Sequence, residues 1–262
     1  MNWSLLPTIS APMSIQMALD GLLFESQKKE VQAPTVRFYV SSAPWVSVGC
    51  SFRDSEVLLK SNLVLKNPQV PVCQRVTGGG CVLHGRDLIF SLIARYDRAL
   101  TPFLAEEEPA HEKNPRPPLS LSSVRTSYGK IHEGVKIGLQ LCGLDPKFYC
   151  CGDKMPKGSD CFDFPVESDL SWKGKKIAGG AQKRSEGVLL HHESILTPPG
   201  VEWGDLMAGV KQGLETVFGL SIQKVNLDPE MYFRAEKLIK NKRLKTEEQS
   251  ENKKPGPLFP GL

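Results

Sequence analysis

The sequence predicts an α/β domain in which helices pack on a β-sheet, and three observations carry that prediction. Short runs that alternate apolar and polar residues, or are apolar on both faces, recur as VRFYV, WVSVG, Val70 to Val76 and Leu88 to Tyr96, and these read as strands. Between and after them lie longer stretches whose apolar residues recur three and four positions apart, the spacing of one face of a helix. The chain has 262 residues, 40% of them hydrophobic and 24% charged, enough for one large domain or two small ones with a proper core.

The first helix is read from Ser14, with Ile15, Ala18, Leu19, Leu22 and Leu23 on one face and Ser14 as N-cap. VRFYV and WVSVG follow as two strands joined through Ser41 to Pro44, so that this helix packs on a sheet. After the Leu88 to Tyr96 strand, prolines and charges dominate, and residues 101–120 read as an exposed loop with His111 in solvent. From Ser122 to Gly143, Val124, Tyr128, Ile131, Val135, Leu139 and Cys142 mark a second helix. SDLSW, Lys173-Gly174 and KKIAGGAQKR read as a β-hairpin, and GVLLHHESIL as a further strand beside it. A third helix spans Trp203 to Phe218 and stops at Gly219; the strand SIQKVNL then leads to Asp228 and Pro229, which open a last helix to about Lys242. The catalytic unit is therefore expected within 1–243, with 244–262, polar and proline-rich, as a disordered tail.

Composition excludes several functions. A net charge of +4, from 33 basic and 29 acidic residues, is too small to argue for nucleic acid, and no nucleic-acid-reading motif is present. No apolar run approaches a membrane span, and MNWSLLPTISAP lacks the pattern of an export signal. Seven cysteines without a CxxC pair read as reduced thiols in the cytoplasm. A zinc site drawn from Cys150, Cys151, Cys161 and a histidine matches no structural finger, so no metal site is expected.

Chemistry concentrates in two stretches. In RVTGGGCVLHGRDLIFS, residues 75–91, three glycines stand where a sheet would be weakened by them, which marks either a corner or a place where a ligand meets bare backbone. N–H groups of Gly78, Gly79 and Gly80 can converge into a nest for a carbonyl oxygen or phosphate, although the spacing is neither GxGxxG nor that of a P-loop. In KKIAGGAQ, only one of Lys175 and Lys176 can face inward from a strand, and Gly179, Gly180 and Ala181 leave room above the neighbouring strand. Two surface lysines beside a close-packed crossing are the alternative reading.

RVTGGGCVLHGRDLIFS, followed about a hundred residues later by KKIAGGAQ and VLLHHESIL, resembles the lipoate-protein ligase and octanoyltransferase superfamily, whose catalytic domain is shared with biotin protein ligases. MALDGLL resembles that family's first helix and RFYVSSAPWVSVGCSF its opening strands, so the resemblance runs from about residue 13 to 242. It implies a mixed, mainly antiparallel sheet flanked by helices and an acyl chain held beside the glycine loop. Lys176 matches the family's lysine that contacts the acyl carbonyl or acyl-adenylate, aided by backbone N–H groups of the two glycine stretches. Arg75, Thr77 and His84 match motif positions assigned to pocket shape and binding.

Cys161 lies fifteen positions before Lys176 and resembles the cysteine of the transferase branch, which carries the acyl chain as a thioester. A neighbouring ammonium favours a thiolate nucleophile. The resemblance then implies transfer of octanoyl or lipoyl from acyl carrier protein through Cys161 to a lysine of a lipoyl domain, in the glycine-cleavage H protein or a 2-oxoacid dehydrogenase subunit, by a monomer needing no cofactor. Gly80, where those transferases commonly carry arginine, and the pair His191-His192 resemble instead an ATP-dependent ligase, with ATP and Mg²⁺. A catalytically dead module that holds an acylated partner is a third reading. The basic glycine-arginine loop of biotin ligases is absent.

Overall fold

The computed structural model describes residues 2–29, 33–41, 43–50, 66–96, 123–149, 161–163 and 165–251. The 101–120 loop, Cys150, Cys151 and the tail beyond 251 lie outside the described residues. In chain order the described elements are β1 (Asn2–Ala11), α1 (Met13–Lys29), β2 (Thr35–Ser41), β3 (Trp45–Val48), β4 (Val72–Gln74), β5 (Cys81–His84) and β6 (Asp87–Arg95). There follow α2 (Val124–Leu141), β7 (Lys147–Phe148), β8 (Leu170–Trp172), β9 (Lys175–Ser185), β10 (Val188–Leu196), α3 (Trp203–Phe218), β11 (Ser221–Lys224) and α4 (Pro229–Glu251).

The larger sheet has the order β11-β1-β2-β6-β10-β9-β8-β7. Strands β11, β1 and β2 run parallel, and every pair from β2 to β7 is antiparallel. A smaller sheet, β4-β3-β5, carries the segment on either side of the glycine loop. This is the mixed, mainly antiparallel α/β architecture expected.

The period of two along the central strands divides the core cleanly. On β6, Leu88, Phe90, Leu92 and Ala94 join Ile131, Val135 and Leu139 of α2 and Leu206, Val210, Leu214 and Phe218 of α3 in one cluster. The intervening Ile89 packs with Met13, Met17 and Tyr39, and Ile93 with Phe24, Val188 and Leu190, on the face covered by α1. Neighbours on β10 therefore face opposite ways, which sends His191 and His192 to different sides of the sheet.

Several expectations are corrected. The N-terminal stretch is a strand, β1, paired in parallel with β2 and β11; its alternation is weakened by Pro7, and its partners lie far away in sequence. Cys81–His84 is a separate strand, β5, between the glycines and β6. VRFYV and WVSVG belong to different sheets: β2 pairs with β6, and β3 with β4 and β5. Helix α1 begins at Met13 with Ile15 and Gln16 donating to Pro12 O, so Ser14 sits inside the first turn rather than capping it, its buried hydroxyl unpartnered among the described residues. Helix α4 runs to Glu251, past the expected boundary at 244, through good helix formers in KTEEQSE.

Candidate active site

The two stretches singled out in the sequence meet at one cavity of about 160 Å³. Arg75, Gly79, His84, Cys161, Lys176, Gly179, Gly180 and Ala181 all line it, together with the apolar Met17, Tyr39, Val82, Ile89, Phe162 and Val166. Thr77, Gly78 and Gly80 stand one layer back. Thr77 is fully buried and shares a hydrogen bond of 3.0 Å with His192 Nδ1, whereas Gly78 and Gly80 turn their carbonyls toward Arg75 at 2.7 and 2.9 Å. The loop thus differs from a simple nest of N–H groups. A buried guanidinium demands acceptors, and these two carbonyls supply them. Gly79 adopts φ +87° and leaves no space for a side chain, since a Cβ there would sit 2.9 Å from the Arg75 guanidinium.

Lys176 points inward and Lys175 outward, as strand geometry requires. The Lys176 side chain is 5% exposed; its ammonium lies 2.7 Å from Asp169 Oδ2 and donates to the carbonyl oxygen of Cys161 at 2.9 Å. Two of the three N–H donors of an ammonium are so used, leaving one for the cavity. Asp169 is itself fixed, accepting from Tyr128 Oη at 2.5 Å and from the Val166 amide at 2.7 Å. The glycines of β9 make room for this arrangement: a Cβ on Gly179 would collide with Lys176, and one on Gly180 would stand 2.5 Å from both the Glu193 carboxylate and the His191 ring.

Cys161 is held at both ends of its backbone, its amide on Cys81 O at 2.9 Å and its carbonyl on Lys176. Its thiol lies at the glycine loop, 3.9 Å from the position of a Gly79 Cβ, on the cavity wall that the Arg75 side chain also lines. Sequence reasoning paired the thiol with Lys176. The structure brings the Lys176 ammonium to the carbonyl of that residue, and Arg75 shares the cavity wall with both.

Three carboxylate networks support the walls, and none was read from the sequence. Below the cavity, on the α1 face, buried Asp20 takes the Arg37 guanidinium and Ser91 Oγ on one oxygen and Tyr39 Oη and His192 Nε2 on the other. Burial alone would raise its pKa, but Arg37 and His192 outweigh burial and hold it at about 2. Burial and the Asp20 charge keep the Tyr39 phenol protonated, well above its usual value.

On the α2 face, Glu193 Oε2 stands 2.7 Å from His132 Nε2 and 2.8 Å from His191 Nε2. His132 Nδ1 lies 2.5 Å from the Ser168 carbonyl, which only accepts, so both its nitrogens carry protons. His191 Nδ1 faces the amide nitrogen of Gln182, so His191 is neutral with its proton on Nε2. Burial opposes the His132 charge, yet Glu193 raises its pKa above the ordinary value; Glu193 in turn falls from 4.5 to about 2 despite burial, chiefly through His132. These three residues hold ligand atoms within 4.8 Å of one another, but the proton on His191 Nε2 faces inward where a metal would bind, and the geometry is that of a hydrogen-bonded imidazolium and carboxylate.

The third network lies under the glycine loop. His84 bridges Ser47 Oγ at 2.7 Å and Asp87 Oδ2 at 2.6 Å, and Asp87 also accepts from Ser194 Oγ and the Gly85 amide. The available signal for these partners was polar residues on faces otherwise apolar, such as Gln16 and Asp20 one turn apart on the inner side of α1.

A mainly antiparallel sheet with a glycine loop over an enclosed, largely apolar cavity is the architecture of the lipoate-ligase fold. Lipoate-protein ligase A bound with ATP superposes with a TM-score of 0.65 at 18% identity, over 90% of this chain and 93% of that one. Protein Ta0514 from T. acidophilum with bound lipoic acid gives 0.67 at 18% identity, over 92% and 95%. The model of the lipoyl protein ligase A/B catalytic domain matches residues 12–107. Octanoyltransferase LipM of Brevibacillus brevis is 30% identical over 209 residues, 77% of this chain and 68% of that protein, and LipM of Oceanobacillus iheyensis is 31% identical over 202 residues, 77% and 66%. The chain belongs to the lipoyl protein ligase and octanoyltransferase family. It spans slightly less than two thirds of the length of the first relatives it matches, 66% and 65%.

Proposed function

We propose that this chain is an acyltransferase that moves an octanoyl, or lipoyl, group from the phosphopantetheine thioester of acyl carrier protein to Cys161 and then to a lysine of a lipoyl domain. The observation that carries the reading is the convergence of Cys161, Lys176 and the glycine loop on one apolar cavity. Curated relatives named as octanoyltransferases support it.

In the first half, the Cys161 sulfur attacks the thioester carbonyl. A new C–S bond forms, the bond to phosphopantetheine breaks, and the departing sulfur takes up the proton that Cys161 gives up, leaving as a thiol. In the second half, the acceptor lysine, as free amine, attacks the Cys161 thioester; a C–N bond forms, the C–S bond breaks, and the proton lost by the amine passes to the departing Cys161 sulfur. Nothing is oxidised or reduced, and the thioester exchange needs no ATP. Through its remaining N–H, Lys176 stabilises the oxyanion of each tetrahedral intermediate, and Asp169 with Tyr128 keeps the ammonium in place. The acceptors in this reading are lipoyl domains of the H protein or 2-oxoacid dehydrogenases, and the enzyme is a cytoplasmic monomer. Among the described residues no helix is long and apolar enough to cross a membrane, and five cysteines are free thiols.

The test is intact mass after incubation with octanoyl-carrier protein, without ATP. A hydroxylamine-sensitive octanoyl adduct is expected on the wild type and none on Cys161→Ser, with Lys176→Ala acylating about a hundredfold more slowly. A second reading, ATP-dependent lipoate ligation with Mg²⁺ in the same cavity, rests on the third glycine at Gly80. Lipoate-dependent pyrophosphate release with no adduct would establish it in place of the first.

A further inference from the structure

Arg75 is 5% exposed, and among the described residues no carboxylate forms an ion pair with it. Its guanidinium is instead held by neutral groups, Ser47 Oγ at 3.1 Å and the carbonyls of Gly78 and Gly80. A buried charge without a counter-ion is costly, so such a site is built to receive an anion. The group left beside it is the Cys161 sulfur, which shares the cavity wall with the guanidinium and flanks the same glycine, Gly79. Lys176, by contrast, already has its counter-ion in Asp169.

A chain of hydrogen bonds runs behind Arg75. A guanidinium only donates, so Ser47 Oγ accepts from Arg75, and the same oxygen meets His84 Nε2 at 2.7 Å. His84 Nδ1 donates to the Asp87 carboxylate at 2.6 Å, and Ser194 and the Gly85 amide fix that carboxylate in place. Each link is buried: Ser47 and Asp87 are 1% exposed and His84 6%.

We infer that Arg75 is the cation that holds the Cys161 sulfur as thiolate, and that Asp87, His84 and Ser47 form the positioning chain that aims it. The inference rests on the reading of Cys161 as the acyl-carrying nucleophile, and it divides the two cations: Arg75 serves the sulfur, Lys176 the acyl oxygen. Burial works against the charge of Arg75, so an anion at the cavity wall would stabilise it. The other charged or titratable groups lining the cavity are Tyr39 on β2, His84 on β5, Lys176 on β9 with Asp169 beside it, and His192 and Glu193 of β10, while Cys73 on β4 and Cys81 at the start of β5 neighbour Arg75.

The test is the rate of iodoacetamide alkylation at Cys161 as a function of pH, followed by peptide mass so that the other cysteines do not confuse the readout. Relative to wild type, Arg75→Gln is expected to slow Cys161 alkylation at pH 7 about tenfold and move its profile to higher pH. Arg75→Lys restores most of the rate. His84→Gln and Ser47→Ala give smaller shifts in the same direction, and Lys176→Ala leaves the profile in place while slowing acyl transfer. Continued protection of buried Cys81 shows that each variant is folded. An unchanged profile in folded Arg75→Gln, or a shift produced by Lys176→Ala instead, overturns the inference. Because alkylation needs no acyl donor, it is scored independently of the octanoyl adduct: an adduct with an Arg75-independent profile sinks only this inference, and an absent adduct sinks only the transferase reading.

Discussion

Asp20 and Glu193 are both completely enclosed carboxylates beside the central strands, one on each face of the sheet, yet they are finished differently. Asp20 receives four donors, two on each oxygen, one of them from the permanently charged Arg37. Glu193 receives two, both on Oε2 and both from histidines, while Oε1 has no partner among the described residues and the residue lines the cavity. A saturated buried carboxylate locks elements together, here α1 to β2, β6 and β10. One with a free oxygen and a titratable counter-ion retains room to respond, and it lines the same cavity as Lys176.

The sharpest way to break this contrast is Asp20→Asn, which keeps the shape but strands the Arg37 charge. A stability loss of about 3–5 kcal/mol is expected in denaturant unfolding. A loss below about 1 kcal/mol would show that Asp20 is no hub.

Acid titration probes both carboxylates together. Each has a folded value depressed to about 2, from ordinary values of 3.8 and 4.5, so its contribution is complete above about pH 4.5 and is lost as pH falls toward 2. Integrated shifts correspond to roughly 2 kcal/mol for Asp20 and 3 kcal/mol for Glu193. Unfolding free energy measured between pH 6 and pH 2 should fall accordingly, and less steeply in Glu193→Gln.

Glu193→Gln at pH 7 sharpens the comparison, because His132, unlike Arg37, can relieve its isolation by releasing a proton. The expected cost is about 1–3 kcal/mol, smaller than that of Asp20→Asn. Equal costs would erase the distinction between the two hubs.

The smallest effect is alkaline. The His132 value is raised in the folded state, so its contribution is present below the ordinary value of 6.5 and is lost as pH rises through the folded value. That alkaline decline in stability should vanish in His132→Asn and persist in Asp20→Asn, followed by thermal unfolding across pH 6 to 10.

Much of this organisation was legible before any coordinates. The period of 3.6 placed α1, α2 and α3, and the period of two placed β2, β6, β9 and β10. Gly78 to Gly80 stood out because glycines inside a sheet ask for a reason, whereas Lys176 and Cys161 were marked out by the family resemblance. The carboxylates did not stand out. Asp20 meets His192 across 172 positions, His132 meets Glu193 across 61, and no local period encodes such pairs. Strand β1 escaped for the same reason, since a parallel strand owes its pairing to partners contributed from Thr35 to Ser41 and from Ser221 to Lys224.

What the sequence alone determined is helices α1 to α3, the central strands with their inward faces, and the glycine stretches at the cavity, because these follow from local periodicity and from the conformational range of glycine. Only the tertiary structure decided which cation meets which anion. Pairing depends on distances between residues remote in the chain, and those distances put Lys176 on Asp169 and left Arg75 among neutral acceptors on the cavity wall it shares with Cys161.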